Sequence, residues 1–267
     1  MVALLAAATL ALPAAAPPPA APLPTDAASI AERLAHTNRK LNDEIEAWRA
    51  TGTPRQPREL LLWALHQQRL YLELGLAPRA TAEAVVASLP PRQRQSAREI
   101  LTARRALVRL TPPTALPLAA FRVGPARPAD ELLRHYRDAE RRFGVPWHVL
   151  ASVNFVESGF GKVRSASTAG AQGPMQFLPA TWRAYGLGGD VNDPRDAIMG
   201  AANYLRASGA PRDLRSALWA YNHSTLYVDA VLAYARAMKR DVRAFYGFHS
   251  WQVFVRTRGG YRALTRP

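Results

Sequence analysis

The sequence of 267 residues contains no cysteine, and this absence excludes a disulfide framework, thiolate zinc ligands and thiol catalysis. Lysine is scarce as well, since Lys40, Lys162 and Lys239 are the only lysines among 35 basic residues. No run of about eighteen apolar residues follows the N-terminal stretch, so the sequence indicates no integral membrane span. The six histidines form no H-x-x-x-H pair, which leaves a catalytic zinc site without support.

The formal net charge of +15 is compatible with two interpretations. A basic surface favours an anionic partner, such as nucleic acid, anionic lipid or an acidic polymer. Alternatively, arginine and alanine have GC-rich codons, so the composition can reflect the genome rather than a partner. A nucleic-acid binder is otherwise suggested by the basic stretch 91–109 alone, and that pattern is more typical of a solvated helix face. We therefore expect no nucleic-acid partner.

The first residues are similar to a secretory signal. An apolar stretch from Val2 to Leu12 is followed by small residues at Ala14 and Ala16, as in the apolar region and cleavage site of exported proteins, although a basic start is missing. Residues 13–24 are rich in proline and alanine, which is typical of a linker. We therefore expect a signal peptide and linker over residues 1–24, and export of the protein.

Helical periodicity dominates the rest of the chain. Apolar residues recur at helical spacing through residues 25–112, which predicts a helical N-terminal accessory region that carries no motif of chemistry. The proline-rich stretch 113–128 predicts a linker, and helical signals resume over 129–240. Residues 241–267 form a C-terminal extension whose last part alternates like a strand around a Gly-Gly turn. The sequence thus predicts a mostly α protein with a short β-like C-terminal tail.

A single acid in the stretch NFVESGFGK is notable for its position. On the helix predicted to begin at Pro146, Leu150, Val153 and Glu157 recur at helical spacing, so Glu157 falls on the apolar face near the helix end. Burial and the negative end of the helix dipole both raise the pKa of a carboxyl group. A carboxyl group that is still protonated near neutral pH is suited to general acid catalysis. The alternative is an ordinary solvated glutamate at a helix end.

Two later stretches carry polar groups suited to a sugar. The first, GAQGPMQFLPATW, contains glycines that let the backbone approach a ligand closely, and Gln176, whose amide offers both a donor and an acceptor. The second, AYNHS, presents the Tyr221 hydroxyl and the Asn222 amide at the end of another predicted helix. Each of these residues taken alone is more typical of ordinary packing than of a site.

In order and spacing, these three stretches resemble the lytic transglycosylase domain, a lysozyme-like module that cleaves peptidoglycan. The family motifs E-S, S-x-x-G-A-x-G-x-M-Q-x-x-P-x-T and A-Y-N correspond to Glu157-Ser158, Ser167–Thr181 and Ala220–Asn222. The chain looks most like the secreted actinobacterial members of the family. The resemblance implies a lysozyme-like domain over residues 129–240, peptidoglycan strands as the partner, and a cell-wall-associated location.

The resemblance also implies roles for individual residues. Glu157 is implied as the catalytic acid and base, and Met175 and Phe177 are implied to shape the groove. His223 stands where the family commonly has alanine, and it either lines the groove or faces solvent. No cofactor and no metal are implied. Contacts with the substrate are implied for five residues, namely Ser158, Ser167, Gln176, Tyr221 and Asn222.

The implied reaction needs one carboxyl group. Glu157 protonates the oxygen between N-acetylmuramic acid and N-acetylglucosamine, and the muramoyl 6-hydroxyl then closes a 1,6-anhydro ring while the acetamido group stabilises positive charge. A hydrolytic muramidase of the same fold is an alternative that needs a second carboxylate, for which Asp190 is the candidate. A non-catalytic peptidoglycan-binding module is a further alternative, but the presence of Glu157 argues against it.

Asp190, Asp193 and Asp196 lie close together in GGDVNDPRDAI, which raises the possibility of a calcium loop. The stretch lacks the full twelve-residue pattern with its final glutamate. Asp193, Pro194 and Asp196 are instead typical of a helix cap, a first-turn proline and a third-position acid. We therefore expect a helix start here rather than a metal site.

Overall fold

A computed structural model describes residues 13–267, so the apolar part of the expected signal peptide lies outside the described residues. Within that range the chain forms eleven α-helices, one 3₁₀ turn and one antiparallel hairpin. The prediction of a mostly α protein with a short β-like tail is therefore confirmed. Over the same range, no helix combines the length and the apolarity needed to cross a membrane.

Four helices make up the predicted N-terminal region. They are α1 (Ala27–Ala50), α2 (Arg58–Leu76), α3 (Arg79–Ser88) and α4 (Pro91–Leu110). Helix α1 begins where the Asp26 carboxylate accepts a hydrogen bond from the backbone N–H of Ser29 at 2.9 Å. The preceding residues 13–24 lie against these helices, since Arg69 donates a hydrogen bond to the carbonyl of Ala21 at 2.7 Å.

Seven helices follow the proline-rich stretch, which itself contains the 3₁₀ turn Leu118–Ala120. They are α5 (Ala129–Phe143), α6 (Trp147–Ser158), α7 (Pro179–Tyr185), α8 (Pro194–Ala207), α9 (Leu214–Tyr221), α10 (Thr225–Arg240) and α11 (Val242–Ser250). Helix α5 ends at Gly144, whose φ of 73° is a left-handed conformation that glycine adopts without strain. Helix α11 lies in the predicted C-terminal extension and was not anticipated from the sequence.

Asp193 caps the start of α8, as predicted. Asp193 accepts a hydrogen bond from the backbone N–H of Asp196 at 3.0 Å, and Pro194 stands in the first turn. Asp196 in turn accepts from the backbone N–H of Asp190 at 3.0 Å. In the part of the chain that the structure describes, no group of three or more histidine or acidic side chains is placed to hold a metal ion.

The C-terminal tail forms the predicted hairpin. Strand β1 (Phe254–Thr257) pairs with β2 (Gly260–Ala263), and Gly260 closes the turn with a φ of 98° that favours glycine. The backbone N–H of Thr114 donates to the carbonyl of Arg256 at 2.7 Å. The hairpin is therefore attached to the proline-rich stretch that precedes α5.

Helix α4 packs along α10, so the N-terminal helices share one continuous core with the helices that follow. A buried acid fixes this contact, because Glu99 on α4 accepts a hydrogen bond from Arg240 on α10 at 2.7 Å. The predicted domain boundaries stay predictions.

Candidate active site

Glu157 lies in the last turn of α6, which ends at Gly159 with a left-handed φ of 60°. The residue as a whole is half-buried, and it lines a cavity of about 400 Å³. Burial raises the pKa of Glu157 to about 7, and a hydrogen bond from Tyr227 opposes this shift. Both protonation states of the carboxyl group are therefore populated near neutral pH, which suits a group that must donate a proton and then accept one.

Tyr227 is the direct partner of Glu157, and the sequence analysis did not identify it. Its hydroxyl donates to Glu157 Oε1 at 2.7 Å from the first turn of α10. The side chain is buried, and both burial and the nearby carboxylate raise the pKa of Tyr227 well above 10, so the hydroxyl keeps its proton. A tyrosine that shares a helix face with Val231 and Tyr234 is typical of a core position, and no local pattern distinguishes it from one.

The loop of the second motif is held in shape by its own hydrogen bonds. Ser167 Oγ accepts from the backbone N–H of Ala171 at 3.0 Å, and the backbones of Gln172 and Phe177 bond to each other in both directions at 2.9 Å. Gln176 has a φ of 50° and donates its side-chain amide to the carbonyl of Gly173 at 3.0 Å. A left-handed conformation is uncommon outside glycine and is often found at functional sites.

Gly173 is required by close packing as well as by conformation. Its φ is 73°, and a Cβ added there would lie 1.9 Å from the carbonyl oxygen of Val191. The loop therefore touches the segment that leads into α8, and no larger residue fits without moving one of the two backbones.

Met175, Phe177 and Tyr221 connect this loop to α9. The Tyr221 hydroxyl donates to the carbonyl of Met175 at 2.7 Å, and the Met175 side chain is fully buried. The Phe177 ring is also buried and lies between Trp182 and Tyr221, with ring centroids 5.1 and 5.9 Å away. The side chains of Met175 and Phe177 therefore point from the loop into the protein interior and do not form its surface.

The Ser158 hydroxyl points into the protein. It donates to the carbonyl of Pro174 at 2.5 Å and accepts from the backbone N–H of Gly161 at 2.8 Å, and the residue is 1% exposed. These bonds tie the end of α6 to the second motif. Ser158 can touch a sugar only if the loop moves, so its predicted substrate contact stays a prediction.

Asn222 and His223 follow the end of α9. Asn222 caps the helix by donating its backbone N–H to the carbonyl of Leu218 at 3.0 Å, and its side chain is partly exposed. His223 is exposed and lies against Trp219, with ring centroids 4.3 Å apart.

The three motifs meet through a chain of contacts. Glu157 bonds to Tyr227, whose ring lies parallel to that of Tyr221 at a centroid distance of 6.5 Å. Tyr221 then bonds to Met175, the residue next to Gln176. The structure thus brings Glu157, Tyr221 and the second motif together, whereas Ser167 and Gln176 make the bonds described above within their own loop.

Much of the cavity beside Glu157 is lined by parts of the chain that carry no motif. They are the C-terminal half of α4, the proline-rich stretch from Thr111 to Phe121, and the hairpin with its preceding residues. Glu157 is the only acid among the described residues that line it. Asp190, the candidate for a second carboxylate, is exposed elsewhere and accepts a hydrogen bond from the backbone N–H of Asn192 at 2.8 Å.

A comparison with known protein families matches the part of the chain that carries the three motifs. Residues 135–243 match the family described as "Transglycosylase SLT domain". A stretch of 75 residues is 29% identical to the "Membrane-bound lytic murein transglycosylase F" of Thiobacillus denitrificans. That stretch is 28% of this chain and spans 16% of the relative's length. No solved structure matches the chain.

Proposed function

Because residues 135–243 belong to the transglycosylase SLT domain family, we propose that the protein is a peptidoglycan lytic transglycosylase. It cleaves the β-1,4 bond between N-acetylmuramic acid and N-acetylglucosamine and leaves a 1,6-anhydro-muramoyl end. The observation that carries this proposal is a lone carboxyl group, Glu157, with a pKa of about 7 in a cavity whose described lining contains no second acid.

Glu157 acts first as an acid and then as a base. In its protonated form it donates a proton to the glycosidic oxygen, the bond from that oxygen to the muramoyl anomeric carbon breaks, and N-acetylglucosamine leaves with a free hydroxyl. The acetamido oxygen of the substrate stabilises the positive charge at the anomeric carbon. The ionised Glu157 then takes the proton of the muramoyl 6-hydroxyl as that oxygen attacks the anomeric carbon. No water is consumed, and Glu157 ends the cycle protonated.

Polar groups of the second and third motifs, which are not among the residues that line the Glu157 cavity, hold the sugar in this proposal. Gln176 and Asn222 are partly exposed and offer amide groups, and the exposed Ser167 offers a hydroxyl. Tyr221 uses its proton on the Met175 carbonyl, so its oxygen is left to accept a hydrogen bond from the sugar. In this proposal, Ser158, Met175 and Phe177 support the site from below.

The proposed substrate also places the site of action outside the cytoplasmic membrane, where peptidoglycan lies. The expected signal peptide supports export, and the net charge of +15 suits anionic wall polymers. Membership of the secreted actinobacterial type stays a prediction.

Paired substitutions test the proposal on purified sacculi. We expect Glu157→Gln to reduce the release of soluble fragments by at least about a hundredfold, since general acid–base catalysis contributes about 10²–10⁴. Asp190→Asn is the matched control and should cleave at the wild-type rate. Full turnover by Glu157→Gln would refute the assigned role, and a comparable loss in Asp190→Asn would favour a hydrolase with two carboxylates. Binding without cleavage by the wild type would indicate a non-catalytic module.

A further inference from the structure

Arg104 brings a positive charge from the N-terminal helices into the Glu157 cavity. It lies on α4, is partly buried, and lines the cavity. Its guanidinium donates to the Tyr261 hydroxyl on β2 at 3.1 Å and stands 5.7 Å from the centre of that ring. The hairpin therefore holds the Arg104 side chain at the cavity wall.

Arg104 has no carboxylate partner within the described residues. The buried acid on the same helix, Glu99, pairs with Arg240 instead. A second arginine lines the cavity, but its guanidinium is bonded to backbone carbonyls. Arg256 donates to the carbonyls of Val108 and Thr111, at 2.9 and 2.7 Å, and so closes the end of α4. Neither arginine pairs with an acid within the described residues, but only Arg104 keeps its guanidinium free of backbone carbonyls, with the Tyr261 hydroxyl as its bonded partner.

These features favour an anionic ligand at this wall of the cavity. A partly buried cation attracts an anion more strongly than a solvated one, because the surroundings screen the interaction less. The planar guanidinium matches the two oxygens of a carboxylate and binds it with short, charge-assisted hydrogen bonds. Because Arg104 and Glu157 line one cavity, a single molecule that fills it reaches both residues.

We propose that Arg104 binds a carboxylate of the peptidoglycan strand at a subsite formed by α4, the proline-rich stretch and the C-terminal hairpin. This inference rests on the proposed function. The muramoyl residue offers such a group from two sources, which are the free lactyl carboxylate of an unsubstituted sugar and the carboxylates of an attached peptide. Tyr261 is a positioning residue that holds the guanidinium toward the cavity.

The subsite gives a role to regions outside the family match. Helix α4 and the hairpin both lie outside residues 135–243, yet both line the cavity next to Glu157. On this account the N-terminal helices and the C-terminal tail select strands that carry an anionic group beside the cleaved bond.

The test compares kcat/KM on three substrates. They are peptide-bearing strands, strands stripped of peptide so that the lactyl carboxylate is free, and stripped strands whose carboxylate is converted to a methylamide. We expect Arg104→Met to lower kcat/KM about tenfold on strands with the bound carboxylate, and Arg104→Lys to lose less because it keeps the charge. On the methylamide strand the difference between wild type and Arg104→Met should shrink to about twofold or less. Arg109→Met, an exposed arginine of the same helix outside this cavity, is the control.

The pattern of losses identifies the carboxylate. A loss confined to peptide-bearing strands assigns the peptide, and a loss confined to stripped strands assigns the lactyl group. An equal loss on all three substrates, no loss on any, or the same loss in Arg109→Met would overturn the subsite. If Arg104→Met does not fold, Arg104→Lys and Tyr261→Phe, which removes the hydroxyl that holds Arg104, carry the same comparison.

Failure of the proposed function is a separate outcome. If the wild type cleaves none of the strands, the proposed activity fails, and co-sedimentation with the same three strands then tests the subsite directly. Weaker binding of Arg104→Met to carboxylate-bearing strands would support the subsite, and equal binding to all three would overturn it.

Discussion

The hydroxyl of Tyr227 donates a hydrogen bond to the carboxyl group of Glu157 at a distance of 2.7 Å. Burial favours the neutral form of Glu157, whereas this bond favours the ionised form. The two effects together give Glu157 a pKa of about 7. Near neutral pH the carboxyl group can therefore be protonated, as an acid requires, or ionised, as a base requires. In the proposed mechanism, Tyr227 therefore sets the pH range in which Glu157 works.

Tyr227→Phe should move the pH dependence of cleavage upward. Cleavage requires protonated Glu157, so the wild-type rate should fall as the pH rises through about 7. Loss of the hydrogen bond removes a stabilising contact with the ionised carboxyl group and raises its pKa. We expect the alkaline limb of the rate profile to shift up by about half to one pH unit.

Tyr246→Phe is the control for that experiment. The Tyr246 hydroxyl also bonds to a carboxylate, that of Asp130 at 2.6 Å, but neither residue lines the Glu157 cavity. Its profile should overlay that of the wild type. An unchanged limb in Tyr227→Phe, or a shift toward acid, would contradict the assigned effect of the bond.

Glu157→Gln should stabilise the protein at alkaline pH. The folded-state pKa of about 7 is above the ordinary value of 4.5, so the folded protein holds a proton that the unfolded chain has lost between these pH values. The wild type therefore loses stability as the pH rises through this window, and the neutral amide does not. We expect the variant to have a free energy of unfolding roughly 1–3 kcal/mol higher at pH 8 and little changed at pH 4.

Chemical denaturation at both pH values measures this difference. Glu83→Gln, an exposed glutamate on α3, provides the comparison and should show no pH-dependent gain. If Glu157→Gln is equally stable relative to the wild type at pH 4 and pH 8, the pKa of Glu157 is not raised.

A comparison of Gly173→Ala with Gly170→Ala separates the steric clash of an added Cβ from the strain of a left-handed backbone. Both glycines have a positive φ, 73° and 79°, but only at Gly173 would a Cβ meet another backbone, at 1.9 Å. Either substitution should cost about 1 kcal/mol of stability through the left-handed backbone. Gly173→Ala should in addition displace the loop that carries Gln176 and lower cleavage more than tenfold, because a shift of about 1 Å can cost a hundredfold. Equal activity of the two variants would show that the close approach to Val191 does not matter.

Several elements were predictable because local signals determine them. The sequence predicted α6, the start of α8 and the cap at Asp193 from cap residues, prolines and apolar spacing, and it predicted the hairpin from its alternation and glycine pair. These features depend on residues within a few positions of each other. The order of the three motifs likewise pointed to Glu157 and to the loop of Gln176.

Contacts between residues far apart in the sequence were not predictable in this way. Tyr227 lies 70 residues away from Glu157 in sequence, and its position on a largely buried helix face resembles that of a core residue. Arg104 and Tyr261 are 157 residues apart and meet only because α4 and the hairpin close the same cavity. Such contacts depend on tertiary packing, which the spacing of residues along one helix does not record.

Glu99→Ala should weaken the attachment of the N-terminal helices. Glu99 is 3% exposed and pairs with Arg240 across the contact between α4 and α10. Removal of this buried partner should lower the free energy of unfolding by about 2 kcal/mol, as measured by denaturant titration. Glu83→Ala, which removes an exposed ion pair with Arg79, should change it far less. If the two variants are equally stable, the buried pair does not hold the helices together.

The most direct test of a lone acid that acts without water is the mass of the cleaved ends. Wild-type protein is incubated with purified sacculi in water enriched in heavy oxygen, and the released fragments are analysed by mass spectrometry. The account predicts muramoyl ends lighter than a reducing end by one water, with no heavy oxygen incorporated. Reducing ends that carry heavy oxygen would contradict it, because they require water to attack the anomeric carbon.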